Sequence, residues 1–341
     1  MTSLRPIEIV GGGLAGLALG LGLRRAGVAV TVFEAGGYPR HRVCGEFITG
    51  LKKATIEQLG LAPFLADAQP KNNVIWYFRE KPVWRHRLPA PALALSRHVL
   101  DARLAEAFVA LGGTLKTGQR IDPQAAPAGR VFAVGRRRSR AEWLGLKVHL
   151  RGVPLAAELE FHLGTHAYVG LCEVEDGWVN VCGLFRQRPG LTGTRTTLLE
   201  SYLRATGLVA LAERLATAEP CPTSYCAVAG IGFGAGRTSP QRIELGDAFA
   251  MIPPFTGNGM AMAFESAAVA LAPLTAWARN EATWESTVTT IHRRLARHFR
   301  LRLRSAAALH PLLLSPRTQP WVAAAARTGC VPLSPLYHAL H

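Results

Sequence analysis

At 341 residues the chain can bury a large core in two lobes, and 49% hydrophobic content describes a folded globular protein. A formal charge of +16, carried mostly by arginine, favours anionic partners, yet no segment resembles a nucleic-acid module, so the charge modifies a function rather than defining one. The six cysteines form no C-x-x-C and the eleven histidines no H-E-x-x-H, so reduced thiols, a cytoplasmic setting and no metal site are expected. No uninterrupted apolar run reads as long enough to span a bilayer. The apolar start is broken by glycines and ends in Arg24-Arg25, unlike a secretory leader.

Residues 7–10 form a short β-branched strand that stops at Gly11, Gly13 and Gly16, the spacing G-x-G-x-x-G. Leu14, Leu17, Ala18 and Leu21 continue at helical spacing, and Arg24-Arg25-Ala26-Gly27 supplies a basic last turn and a stop. Residues 28–33 are a second strand, and Glu34 stands at its end, some twenty positions past the first glycine. This order of strand, glycine turn, helix, strand and acid predicts a dinucleotide site. Gly11 permits the tight turn, Gly13 lets backbone approach a pyrophosphate, and Gly16 lets helix and strand pack closely. The helix N-terminus offers free N–H groups and a positive dipole end, and Glu34 can accept from ribose hydroxyls.

A long polar, glycine-rich loop fills 36–50, a helix is predicted over 52–65, and strands over 74–78 and 83–87. Ser96 opens a helix with the apolar stripe Val99, Leu100, Leu104, Phe108 and Leu111, closed by Gly112-Gly113. Arg97 stands in its first turn, where an acid is preferred, which suggests a nearby anion. Strands near Leu115 and at 131–134 lead to the basic run 136–138. From Lys147 the pattern turns to period two, with a hairpin signal at Asp176-Gly177. Residues 198–215 read as helix, 225–233 as strand, and 242–245 as a last strand ending in Gly246-Asp247-Ala248. Then come P-P-F-T-G-N-G-M, from Pro253 to Met260, and a long apolar helix from Met260 to about Leu274. A tail follows with arginines between leucines over 292–304.

With these motifs in order, residues 5–275 resemble the FAD-dependent oxidoreductases that include aromatic-ring hydroxylases, flavin halogenases and geranylgeranyl reductases. The resemblance implies an α/β fold: a Rossmann-like FAD-binding domain (1–70, 90–150, 235–280) with an inserted antiparallel β-sheet substrate domain (71–89, 151–234). A helical basic tail occupies 281–341. It implies that Gly11, Gly13, Leu14, Ala15, Gly16, Glu34, Arg42, Arg97, Gly246 and Asp247 bind FAD, together with Gly257, Asn258, Gly259 and Met260. Asp247 would accept from the ribityl chain, and the helix that begins at Gly259 would stabilise negative charge on reduced flavin. Cys44, Pro254, Gly257 and Asn258 are the candidates beside the reacting ring.

The halogenase G-W-x-W-x-I-P motif is absent, since Gly177-Trp178-Val179-Asn180-Val181 lacks the second tryptophan. The reductases' Y-x-W-x-F-P motif is absent too, although 39–47 (PRHRVCGEF) resembles the loop they place beside the flavin. The implied activity is NAD(P)H-driven monooxygenation of an apolar aromatic or polyketide-type substrate. Reduction of a C=C bond in a long-chain or isoprenoid substrate is the alternative, and a flavin-binding module without activity stands last. NAD(P)H visits without a domain of its own. The basic tail suits a substrate linked to a carrier protein or coenzyme A, or an acidic membrane; nucleic acid is not expected.

Overall fold

The computed structural model describes residues 4–122, 124–136, 139–236 and 239–341, so Arg137 and Arg138 of the basic run lie outside the described residues. Among the described residues five short parallel strands form the first sheet, in the order Ile243–Glu244, Arg130–Phe132, Ile7–Val10, Val30–Phe33, Thr114–Lys116. Ile7, Ile9, Val32, Val131 and Ile243 are fully buried, the pattern of a parallel sheet covered on both faces. The helix Leu14–Arg25 is buried from Leu14 through Leu23. Its glycines permit that: a Cβ on Gly20 would meet Phe108 at 2.9 Å, and one on Gly22 would meet Leu271 at 2.9 Å.

Leu271 belongs to Gly259–Ala278, which is long and apolar enough to cross a membrane, contrary to the expectation that no run is. Here it packs against Leu14–Arg25 on one side and Trp284–Leu314 on another, as a core helix of the first lobe. It passes the expected end at Leu274 and runs on through Pro273 to Ala278.

Among the described residues the second sheet has nine strands, in the order Glu219–Pro220, Trp143–Arg151, Val179–Arg186, Ala167–Glu173, Leu159–Gly164, Gln69–Phe78, Lys81–Ala94, Phe47–Ile48. Cys226–Ile231 also pairs with Trp143–Arg151. Two expectations are corrected. Trp143–Arg151, placed in the Rossmann lobe as far as residue 150, belongs to this sheet and pairs with Val179–Arg186 from Trp143 to Leu150. The sheet is also mixed, because Gln69–Phe78 runs parallel to Leu159–Gly164. The chain leaves for the Rossmann lobe after Ala94 and returns at Trp143, and such a crossover delivers a parallel neighbour.

Alternation gives this sheet two unlike faces. Leu144, Leu146, Val148, Val169, Leu171 and Val181 pack under the helices Leu198–Ala205 and Val209–Ala216, which replace one expected helix and part at Gly207. The expected helix over 52–65 likewise divides, at left-handed Gly60, into Lys53–Leu59 and Ala62–Leu65. Lys147, His149, Asn180 and Tyr168 lie on the other face and bond to residues of the first lobe.

The arginine-rich part of the tail lies on one helix, Trp284–Leu314, capped by the Thr283 hydroxyl. Val288, Ile291, Leu295, Phe299, Ala306, His310 and Leu313 form its buried stripe at helical spacing. Its arginines 293, 294, 297, 300 and 304 are exposed. Helices Gln319–Arg327 and Leu333–Leu340 then bring His341 back to the first lobe, where its Nε2 lies 2.8 Å from Thr49 Oγ1.

Candidate functional site

Gly11 has φ +107°, and a Cβ there would fall 2.2 Å from the Ala133 carbonyl oxygen, so both conformation and proximity demand glycine. Gly16 abuts the Gly11 carbonyl in the same way, at 2.0 Å. Gly13 differs: the nearest atom to its hypothetical Cβ is Arg97 Nη2 at 3.9 Å. Gly13 is also the N-cap of Leu14–Arg25, with no capping side chain and no acid in the first turn. Leu14 and Ala15 are buried behind it. This helix start is therefore open and electropositive, which suits an anion.

Glu34 is 6% exposed and accepts from the N–H groups of Gly12 and Gly36, 2.9 Å each, and from Arg40 at 3.0 Å. Burial alone would raise its carboxyl, but Gly36, Arg42 and Gly12 outweigh burial and hold it low. Tyr38 donates to the Gly12 carbonyl beside it.

The 3-10 turn Gly246–Ala248 joins this helix to a second. A Cβ on Gly246 would lie 3.3 Å from that of Ala15 and 3.8 Å from that of Ala263, so the starts of both long helices meet at one turn. The second helix also lacks a capping side chain and a first-turn acid, and the space at Gly259 is open. Met260 is buried beneath it. Asp247 is partly exposed; burial raises its carboxyl, against Arg97 and Arg136.

In the loop between turn and helix, Pro254 is exposed and Gly257 has φ +69°, with Phe47 2.4 Å from its hypothetical Cβ. Asn258 is fully buried and does not face the open space. Its amide donates to the Leu340 carbonyl, and Thr49 Oγ1 donates to its Oδ1 at 3.4 Å. Its side chain thus ties the loop to the tail, and only its backbone stands at the helix start.

Arg97 and Arg42 converge on Asp101, a residue that sequence reasoning missed. Arg97 binds it in bidentate fashion at 2.7 and 2.8 Å, and Arg42 Nε donates at 3.0 Å. An acid four residues after an arginine on one helix was the available signal.

Cys44 is half-buried, and burial raises its thiol above the ordinary value. Asn180 donates to the carbonyls of Cys44 and Gly45, at 3.0 and 2.8 Å, and so fastens this segment to the sheet. Two residues on, Glu46 takes φ +59° and is wholly buried. It accepts from Lys147 Nζ at 2.8 Å and from the Arg97 backbone at 3.0 Å, and its other oxygen meets His149 Nε2. Burial would raise its carboxyl, but Lys147 and His149 prevail and bring it to about 2. His41, stacked on His98 with ring centroids 4.3 Å apart, lies 3.3 Å from Lys147 Nζ. His41, Glu46 and His149 hold potential metal-ligating atoms within 4.8 Å of one another, but the Lys147 ammonium already supplies the positive charge there. Lys147 and His149 were visible as two polar residues in an apolar strand; their partner was not.

No family model matches the chain. Over 140 residues, 39% of this chain, it is 29% identical to the menaquinone reductase of Mycolicibacterium smegmatis, and so spans about a third (34%) of that curated relative's length. It superposes on p-nitrophenol 4-monooxygenase PnpA of Pseudomonas putida with a TM-score of 0.75, at 16% identity, covering 100% of this chain and 97% of that one. PqsL of Pseudomonas aeruginosa, in complex with 2-aminobenzoylacetate, gives 0.72 at 17% identity over 93% and 98%. A geranylgeranyl bacteriochlorophyll reductase-like protein of Thermoplasma acidophilum gives 0.74 at 17% identity over 99% and 96%. The chain therefore has the fold that p-nitrophenol 4-monooxygenase PnpA and PqsL, described as a probable FAD-dependent monooxygenase, share with a geranylgeranyl bacteriochlorophyll reductase-like protein, as the resemblance of its glycine fingerprint and its 246–260 motif leads one to expect.

Proposed function

We propose that this chain is an FAD-dependent oxidoreductase, an NAD(P)H-driven monooxygenase of an apolar aromatic or polyketide-type substrate. One observation carries the reading: two uncapped, acid-free helix starts, at Gly13 and Gly259, meet at the Gly246 turn. A dinucleotide with a charged middle and a redox-active ring that turns anionic on reduction suits such a pair of positive ends. Gly13 and Gly259 leave room for it, and Arg97, held rigid by Asp101, adds a cation beside the first. When bound, the cofactor supplies electron transfer from NAD(P)H and reaction with O₂.

The chain's own residues orient and shield. Glu34 takes the ribose side once Arg40 yields one of its oxygens. Asp247 offers an acceptor beside Arg97, and the half-buried Cys44 stands on the segment that Asn180 and Glu46 fix. The five exposed arginines of Trp284–Leu314 make a carrier- or coenzyme-A-linked substrate, or an acidic membrane surface, the partner class assigned to that helix.

A second reading, hydride delivery to a C=C bond, is favoured by the Cys44-Gly45-Glu46 segment, whose thiol stays protonated and can give up a proton. Turnover of a panel of phenols and isoprenoid quinones by the FAD-loaded protein under ¹⁸O₂ separates the two. The monooxygenase reading expects one ¹⁸O atom in the product, no turnover without O₂, and a mild effect of Cys44→Ser. Anaerobic turnover to a product two hydrogens richer, lost in Cys44→Ser, would overturn it.

A further inference from the structure

His310 is not used by the mechanism above, and its surroundings are unusual. It lies on the tail helix, 7% exposed, yet among the described residues no backbone or side-chain group bonds its Nε2. Rings enclose it instead. Phe233 stands 4.7 Å away between centroids, Trp143 5.7 Å, Phe255 6.0 Å and nearly parallel, Tyr168 6.2 Å. A buried imidazole nitrogen without a partner is a standing cost, and a phenylalanine would fill the same place without it. Such a group is explained when a ligand completes it.

The box has a fixed side and a reachable side. Tyr168 is buried, and its hydroxyl accepts from the Phe255 backbone N–H at 3.2 Å, tying the sheet to the 254–259 loop. Trp143, Phe233 and Phe255 are each only half-buried and form the outer wall. Burial lowers the imidazole to about 4, so it is neutral near pH 7, with one N–H and one acceptor. Apolar walls with one neutral polar atom disfavour ions and suit a flat ring that carries one hydroxyl.

We propose that Trp143, Phe233 and Phe255, with His310 at their centre, form a subsite for a phenolic ring whose hydroxyl is read by His310 Nε2. Displacement of an outer-wall ring admits the ligand. The subsite rests on the flavin reading only in that Phe255 belongs to the loop placed beside the cofactor.

The test compares 4-nitrophenol with its methyl ether, 4-nitroanisole, by difference absorbance on FAD-reconstituted protein, at a pH where the phenol is neutral. Wild type should bind the phenol roughly tenfold tighter or more, the discrimination expected of one buried hydrogen bond. His310→Phe should bind the two alike with an unlowered thermal midpoint, and His310→Gln, which keeps an acceptor in another place, should show a reduced preference. Equal binding by wild type, no binding of either compound, or full discrimination in His310→Phe would overturn the subsite; if that variant fails to fold, a reduced or lost preference in His310→Gln supports the subsite and an undiminished one overturns it. FAD content is measured on the same samples. Discrimination without FAD uptake overturns the flavin reading alone, and FAD uptake without discrimination overturns the subsite alone.

Discussion

Glu46→Gln should lower unfolding stability by about 3–5 kcal/mol, the cost of leaving a buried cation without its counter-charge. Lys147 and Glu46 are both wholly buried, 2.8 Å apart, and His149 leans on the same carboxylate. Lys147 is buried, so loss of its counter-charge leaves a desolvated cation that the folded site must open to relieve. Adding Lys147→Met to Glu46→Gln should recover part of the loss, because the pair together is far less costly to remove than one member. Urea melts of the three proteins measure this. The same carboxylate gives an acid signature. Its folded value, about 2, lies below the ordinary 4.5, so the stabilisation is complete above pH 4.5 and is withdrawn as pH falls toward 2. The gap between wild type and Glu46→Gln should narrow across that window and stay constant above it. A gap of under about 1 kcal/mol at neutral pH would show that the cluster is not what holds the 44–48 segment to the sheet.

Gly11→Ala should be worse still, with little soluble protein at 37 °C. The new Cβ would lie 2.2 Å from the Ala133 carbonyl oxygen, 2.5 Å from its carbon, and in a backbone region L-residues avoid, φ +107°. Ala133 cannot easily yield, since its N–H donates to the Val10 carbonyl and it directly follows the strand Arg130–Phe132, which pairs with Ile7–Val10 in the central parallel sheet. Strain and overpacking together should exceed about 4 kcal/mol, a large share of the stability of a typical domain. Gly37→Ala is the control: nothing lies within 4 Å of its hypothetical Cβ, and it should express and melt like wild type. Soluble Gly11→Ala with a wild-type melting midpoint would contradict the close approach on which the glycine turn rests.

The first lobe was legible because its signals are local. A β-branched run halted by spaced glycines, a serine before Arg97 whose hydroxyl does accept from Val99, and Gly246-Asp247 at a strand end each announce themselves within a few residues. The Glu46 cluster was not legible. Glu46 lies about a hundred residues before Lys147 and His149 and meets them only because Trp143–Arg151 turns its polar face toward the first lobe. The alternation of the same strand shows in the sequence only from Lys147, because Trp143 to Leu146 has no polar residue to mark a period of two. The parallel pairing of Gln69–Phe78 follows from the order in which the chain crosses between lobes, which no local pattern records. In the tail the exposed arginines dominate the composition and mask the apolar period. Its buried stripe, which carries Arg302 to Glu265 and His310 to the aromatic box, repeats at the same helical period.

In the function proposed for this chain, the open helix starts at Gly13 and Gly259 hold FAD. Gly13→Asp tests it most directly, because the site has room for the side chain, with nothing nearer than Arg97 at 3.9 Å, while a carboxylate there would repel a pyrophosphate. Purified protein is incubated with excess FAD, desalted, and its bound flavin read from the absorbance spectrum beside its melting midpoint. Wild type should retain one FAD per chain, and Gly13→Asp should retain under about a tenth of that with a midpoint within 2–4 °C of the wild-type apoprotein. Wild-type protein that stays colourless with excess FAD, or Gly13→Asp that retains a full equivalent, would contradict the assignment.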